Sequence, residues 1–297
     1  MKTIKPSSLS SSELHGYLLG AVAPRPIAFA STVDKDGKVN LSPFSFFNVF
    51  SSNPPVMIFS PARRGRDNTT KHTLQNIEEV PEVVINIVSH NMVEQMSLSS
   101  TEYDKGVNEF KKAGLTEVAS EEIKPPRVGE SPAAFECKVN EIIPLGKEGG
   151  AGNLIICEVL LIHINKKILD KNEKIDPYKL DAVGRMGGNW YCRAQGEALF
   201  EIAKPLRNKG IGVDAIPEDI RLSEVLTGNH LGQLGNVAQL PTSNEIAKFS
   251  AENTIQEFKK RFSQDTSSFK YHLHELARDF LDEGKVEEAW KVLLQEL

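Results

Sequence analysis

The chain has 297 residues, 40% of them hydrophobic and 25% charged, and 40 acidic against 35 basic side chains give a formal charge of -5. That length suits one large domain, or a domain with an extension, and the composition supplies a core without help from disulfides or metal. The acidic balance argues against a nucleic-acid binder that works by neutralising many phosphates, but it allows one local basic patch for a single anionic ligand.

Residues 10–22 have the pattern of a short helix capped by Ser11 or Ser12, with Leu14, Leu18 and Leu19 on one face. Pro24 and Pro26 then force an extended entry into the first strand. IAFASTV, DKDG and KVNLSP predict a hairpin, Asp36-Gly37 supplying the positive φ that a tight turn needs. PVMIFS (55–60) and EVVINIV (82–88) are short apolar runs typical of buried strands, and Asn86 within the second suggests a structural hydrogen bond. Between them a helix is expected from Thr70 to the stop at Pro81, and a second helix follows over 91–99. The polar, proline-bearing stretch 103–129 looks like a surface excursion. Two long strands, 133–145 and 153–165, are joined by the turn KEGGAG. So many strands with few helices suggest a closed or nearly closed barrel.

After about residue 194 the character changes. Residues 200–242 carry many Gly and Pro with little periodicity and suggest an ordered arm, spanning 195–242, rather than a domain. Residues 243–297 read as helical: a capped first helix in SNEIAKFSAENTIQEFKKRF, then a helical hairpin around Gly284. Gly210, Gly212 and Ala215 fit a dinucleotide-binding spacing by letter. No strand-forming run precedes them, however, and Pro217 interrupts the helix that should follow.

Chemistry concentrates in residues 24–73. SPFSFFN sets small hydroxyls beside aromatic rings, where polar donors can meet an anionic or heteroaromatic ligand. ARRGRDNTTKHT gathers Arg63, Arg64, Arg66 and Lys71 in a loop that ends at a helix start, where free N–H groups and cations converge on a phosphate. Arg66, nearest the helix, is the preferred phosphate ligand, and the other arginines are expected to be largely solvated. Cys137, Cys157 and Cys192 stand far apart with no C-x-x-C pair, which excludes a disulfide framework and a thiolate zinc site. His272 and His274 lie two apart, a spacing that diverges on a helix, so no metal is expected. With no apolar run near ~18 residues and no long apolar stretch at the N-terminus, neither a membrane span nor a leader is expected, and a cytoplasmic location fits the free thiols.

The order P-R-P, N-L-S-P-F-S-F-F-N, S-x-N-P-P, K-H-T-x-x-N-I and V-I-N-I resembles the flavin reductase-like family, which includes flavoredoxins and the reductase components of two-component monooxygenases. The resemblance spans about residues 10–194. It implies a mainly β fold with flanking helices: an FMN-binding split β-barrel over 1–194, here followed by a C-terminal helical extension over 195–297. It implies a homodimer with the flavin near the subunit interface. Within it, Pro43, Phe44, Ser45, Phe46, Phe47, Asn48 and Ser51 match the segment that lines the flavin, Phe46 and Phe47 chiefly as packing. Ser60 and the loop 66–73, with Arg66, Lys71, His72 and Thr73, match the region that holds the phosphate. GRMGGNWY (184–191) is similar to the closing motif and brings Arg185 and Tyr191 near the ring; Arg185 or Arg25 could favour the reduced flavin. The implied activity is hydride transfer from NADH or NADPH to FMN, with electrons passing to a protein acceptor or monooxygenase. Alternatives are a flavoredoxin-like electron carrier reduced by a protein partner and a non-catalytic flavin-binding module. No catalytic acid or base is nominated, because the cofactor carries the reaction.

Overall fold

Helix α1 (Ser11–Ala21) leads into β1 (Ala28–Val33) in the computed structural model, which describes residues 1–205 and 209–297. Ser10, one residue before the expected caps, closes a reciprocal capping box with Glu13. Every residue of β1 is buried. Ala28 and Ala30 belong to one apolar cluster and Ile27 and Phe29 to another, because successive side chains leave a strand on opposite faces. A strand covered on both sides has no polar face to show, which explains the unbroken run IAFASTV.

β2 (Val39–Phe44) returns antiparallel to β1 through the expected turn, where Gly37 has φ +79° and the Asp34 carboxylate accepts the amides of Asp36 and Lys38. Next come β3 (Phe47–Ser52), β4 (Pro55–Phe59), α2 (His72–Glu79) and β5 (Glu82–Asn86). Leu74 and Ile77 of α2 join the cluster of Ala28, Phe44, Phe59 and Ile85. Helices α3 (Val93–Ser99) and α4 (Glu109–Ala113) pack Met96 and Phe110 with Phe29 and Leu41 in the second cluster.

The stretch 103–129 is anchored more firmly than a surface excursion. Phe110 is fully buried, and the buried Glu109 accepts the Leu41 amide at 2.9 Å. The ribbon β6 (Glu117–Val118) and β7 (Arg127–Val128) is tied to Asn86, whose side chain accepts from the Val128 amide and donates to the Phe29 carbonyl, both at 2.9 Å. Glu136, fully buried, accepts the amides of Glu121 and Glu122 and pairs with His163 at 2.6 Å. Burial opposes ionisation of Glu136, but these donors outweigh it and hold the carboxyl below its ordinary value. A few apolar and acidic anchors within a polar segment carry no periodicity, so the sequence conceals them.

β8 (Ala133–Pro144) and β9 (Asn153–Ile164) form the long central pair, and register shifts at Glu136/Cys137 and Val139/Glu141 let it bend. The seven-stranded sheet runs β2-β1-β5-β8-β9-β4-β3. Its two edge strands are joined in sequence by Ser45 and Phe46 alone. So short a link between opposite edges requires the sheet to curl until they nearly meet. Phe44 and Phe59 close the gap from inside with ring centroids 5.4 Å apart, and the Ser60 amide donates to the Phe46 carbonyl at 2.9 Å. This is a split barrel, and SPFSFFN is its split. After α5 (Pro177–Leu180), the hairpin β10 (Val183–Arg185) and β11 (Tyr191–Arg193) sets Arg185 opposite Tyr191.

The chain divides into two compact units, Met1–Phe200 and Glu201–Leu297. The second contains α6 (Glu218–Arg221), α7 (Gly228–Gly235), α8 (Ser243–Ser250), α9 (Asn253–Arg261), α10 (Thr266–Asp282) and α11 (Val286–Leu293). From Glu201 onward the expected arm over 195–242 belongs instead to this compact unit, residues 206–208 lying outside the described ones. Ile216, Ile220, Leu226 and Leu234 share one apolar cluster with Phe269, Leu273 and Trp290. Thr227 and His230 form a capping box that starts α7 despite its glycines. The helix expected from Thr242 is two, interrupted at Ala251 and Glu252, so this region holds more than a capped helix and a hairpin. α10 and α11 do turn at Gly284, φ +74°.

Candidate functional site

From β4 the chain leaves the barrel through SPARRGRDNTTK, a loop fixed by its own polar groups and by the β8–β9 turn. The Arg63 guanidinium donates to the Asn68 side-chain oxygen at 2.6 Å, and the Arg63 amide donates to the Ala151 carbonyl at 2.8 Å. The Gly150 amide donates back to the Arg63 carbonyl at 2.9 Å, and Asn68 donates to the Lys147 carbonyl at 3.0 Å. Backbones approach so closely that a Cβ on Gly149 would lie 3.0 Å from the Arg64 carbonyl, which is why KEGGAG needs its glycines.

Arg63 and Arg64 are therefore held rather than solvated. Arg64 Nη1 donates to Thr69 Oγ1 at 3.0 Å and to the Thr70 carbonyl at 2.6 Å, and only 14% of the Arg64 side chain is exposed, against 69% for Arg66. A narrow cleft of about 20 Å³ lies beside the loop, lined by Arg64, Lys71, His72 and Thr73 together with Ser42, Ser100 and Glu102. Arg66 is absent from that lining: of these two arginines the one turned inward is Arg64. No side chain caps α2 at Lys71, so the first amides of the helix, at His72 and Thr73, have no intrahelical partner. Burial, then the charges of Arg64, Lys105 and Lys71, hold the His72 imidazole below its ordinary value.

A second cavity of about 180 Å³ adjoins the cleft, Ser100 lining both. Ile27, Pro43, Phe44 and Met96 give it apolar walls, while Ser45, Ser100, Arg185 and Tyr191 give it a polar edge. Ser42 faces the cleft and Pro43 the cavity, so consecutive residues of β2 connect the two. Arg185 Nη1 donates to the Trp190 carbonyl at 3.1 Å, and its guanidinium carbon lies 4.6 Å from the Tyr191 ring centroid.

Arg25 has a structural role. It is buried, and its guanidinium donates to the carbonyls of Leu19 (2.7 Å), Val22 and Met186 (3.0 Å) and to Ser45 Oγ (3.4 Å). It thus satisfies carbonyls at the end of α1, which an α-helix leaves without partners, and clips that end to the β10–β11 turn. Backbone bonds between Arg25 and Arg185, at 3.0 and 2.8 Å, fasten the same hairpin. Burial, then the charge of Arg185, lowers the pKa of Arg25.

The structure thus brings eight of the expected residues to the two cavities: Lys71, His72 and Thr73 to one, and Pro43, Phe44, Ser45, Arg185 and Tyr191 to the other. Phe46 and Asn48 are exposed, the Asn48 side chain accepting the Val49 amide, and Phe47 packs on the barrel core. Ser51 accepts the Asn53 amide at 3.2 Å. Ser60 lines neither cavity, but its buried hydroxyl has no partner and would meet a Cβ on Gly152 at 2.6 Å. Ser100 and Glu102 escaped sequence reasoning; both lie just beyond α3, in a run whose letters carry no ligand pattern. A flat heteroaromatic ring fits an apolar-walled cavity with a polar edge, and a phosphate fits cations beside free helix amides. The residues present fit a flavin mononucleotide.

A family model described as "Flavin reductase like domain" matches residues 20–179, more than half of the chain. The chain belongs to the flavin reductase-like family. An uncharacterized member from Halalkalibacterium halodurans is 40% identical over 204 residues, which cover 68% of this chain and 96% of the relative. The crystal structure of nitrilotriacetate monooxygenase component B from Bacillus cereus superposes with a TM-score of 0.63 at 30% identity, covering 68% of this chain and 98% of that one. The 2-nitrobenzoate 2-nitroreductase of Pseudomonas fluorescens gives 0.61 at 26% identity, covering 70% and 100%. The family is one of flavin-binding split barrels, and the family model ends before the second unit begins. Among the described residues, no helix is long and apolar enough to cross a membrane.

Proposed function

We propose that the chain binds FMN and acts as an NAD(P)H-dependent flavin reductase. Its phosphate would be held by Arg64, Lys71 and the first amides of α2, and its ring by Pro43, Phe44, Ser45, Arg185 and Tyr191. The observation that carries this reading is the meeting of an apolar-walled cavity and a cationic cleft at Ser100. When bound, FMN supplies a ring that accepts a hydride and passes electrons onward. The protein's part is to orient and tune. Arg185 would set positive charge at the polar edge of the ring, favouring the more anionic reduced form, while Arg25 has most of its donors committed to carbonyls.

At about 180 Å³ the ring cavity is smaller than the ~300–1,000 Å³ typical of small-molecule sites. One chain would leave the ring partly open, and one feature suggests what covers it. Phe46, Val49 and Phe50 are exposed on or beside the edge strand β3, directly after the cavity residues Pro43, Phe44 and Ser45. An apolar sheet edge of this kind calls for cover, and a second copy of the chain would provide it. By likeness to the Bacillus cereus component, an oxygenase protein is the proposed acceptor, and the buried thiols of Cys137 and Cys157 suit a reducing cytoplasm.

The test is to add NADH or NADPH to the protein with FMN under anaerobic conditions. Loss of the blue flavin absorbance with either donor is the expected result. Flavin that binds but bleaches with neither would refute the reductase reading and leave a carrier reduced by a protein partner.

A further inference from the structure

Three cations of the loop share one counter-ion. Glu102 Oε1 lies 3.1 Å from Arg64 Nε and 3.5 Å from Lys71 Nζ, and Glu102 Oε2 lies 2.6 Å from Arg66 Nη2. A carboxylate offers two arginines the same paired acceptor oxygens that a phosphate would. With Glu102 in place the cleft measures about 20 Å³, room for about one water and not for a phosphate group. The other acid lining the cleft, Glu109, is turned to the Leu41 amide at 2.9 Å. Glu102 stands beyond α3 and is held by side-chain ion pairs and local turn bonds, such as the Tyr103 amide to the Thr101 carbonyl at 2.9 Å. Its hydrogen bond to Arg64 keeps the carboxyl below its ordinary value, so it is charged at neutral pH.

We infer that Glu102 is an internal competitor for the flavin phosphate, occupying the cationic cleft in the free protein and leaving it when FMN binds. This rests on the reading of the cleft as the phosphate end of the site. Its consequence is exchangeability: each gain that the phosphate makes at Arg64 and Lys71 is offset by the loss of the Glu102 pairs. The free protein also avoids a cluster of unpaired cations. FMN would therefore bind only modestly better than riboflavin, which lacks the phosphate, and would be released readily to a separate acceptor.

The experiment titrates the full-length protein and its Glu102→Gln variant with FMN and with riboflavin, following flavin fluorescence. Glutamine keeps the shape and removes the charge. The dissociation constant for FMN should fall roughly threefold to twentyfold in the variant, the range expected from losing two or three exposed ion pairs, while that for riboflavin stays within about twofold. Adding Arg64→Gln to the variant should abolish the gain. If the wild-type protein binds neither flavin, the reading of the site falls and the inference with it. If it binds flavin but Glu102→Gln leaves FMN affinity unchanged, weakens it, or shifts riboflavin equally, the inference alone is overturned.

Discussion

Replacing Arg25 by alanine removes one side chain from four acceptors at once: the carbonyls of Leu19, Val22 and Met186 and the hydroxyl of Ser45. A hydrogen bond to a charged group contributes about 1.5–3 kcal/mol. Bonds that share one guanidinium are not additive, so a total near ~3 kcal/mol is expected. The barrel unit, Met1–Phe200, has an unfolding entropy of about 0.4 kcal/mol/K at the usual value per residue. Arg25→Ala should therefore lower its melting temperature by roughly 7 °C. Lysine keeps the charge but not the planar fork, so Arg25→Lys should recover little of the loss. Thermal melts followed by circular dichroism, with FMN titrations of the folded variants at room temperature, provide the assay. A variant that melts within about 2 °C of the wild type yet binds FMN tenfold more weakly would show that Arg25 is a ligand and refute the clamp.

Four further substitutions test the binding site and the barrel. In the Glu102→Gln background, where no carboxylate offsets the phosphate, Arg64→Gln should weaken FMN by about tenfold, the scale of a lost charged hydrogen bond, whereas Arg66→Gln, at a side chain 69% exposed, should change it less than about fivefold; the reverse order in a fluorescence titration would restore Arg66 as the phosphate ligand. A methyl group on Gly184 would meet Pro24 Cβ at 2.9 Å and Cys192 Sγ at 3.0 Å, so Gly184→Ala should destabilise the barrel unit by about 1–3 kcal/mol in denaturant titrations. His72 gives the pH dependence. Its folded-state pKa lies below the ordinary 6.5, so the unfolded chain takes up the proton first. Stability should be level above about pH 6.5, fall as the pH drops from there through the folded value, and then level off. His274 is lowered too, chiefly by burial, so the measurement is the difference between wild type and His72→Gln. Coincident pH profiles of melting temperature would contradict the assignment.

The strands of the barrel were legible because β1, β4, β5, β8 and β9 are short or long apolar runs punctuated by Gly, Pro and Asp. β3 was not, since Asn48, Val49 and Phe50 are exposed on an edge and carry no buried face to mark them. The second unit hid for a related reason: Leu231 and Leu234 of α7 stand among glycines that suppress the helical signal, and it is packing with Trp290 and Leu273 that fixes the helix. Of the site, the half that is local in sequence could be read. Pro43 and Phe44 end one strand with Ser45 next in sequence, and Lys71, His72 and Thr73 stand at one helix start. Which arginine turns inward depends on the partners of Arg64 at Thr69 and Thr70, and on Glu102 more than thirty residues away. No spacing rule reports that choice. Arg25 was drawn to the site by its place beside the flavin motif, although three of its four acceptors are backbone carbonyls and only the Ser45 hydroxyl belongs to the cavity.

A crystal structure of the protein grown with saturating FMN tests the account most directly. The phosphate should lie within hydrogen-bonding distance of Arg64 and Lys71 and the first amides of α2, with the ring between Pro43–Ser45 at the end of β2 and Tyr191 on the closing hairpin. Flavin density elsewhere on the barrel, or none at all, would contradict it.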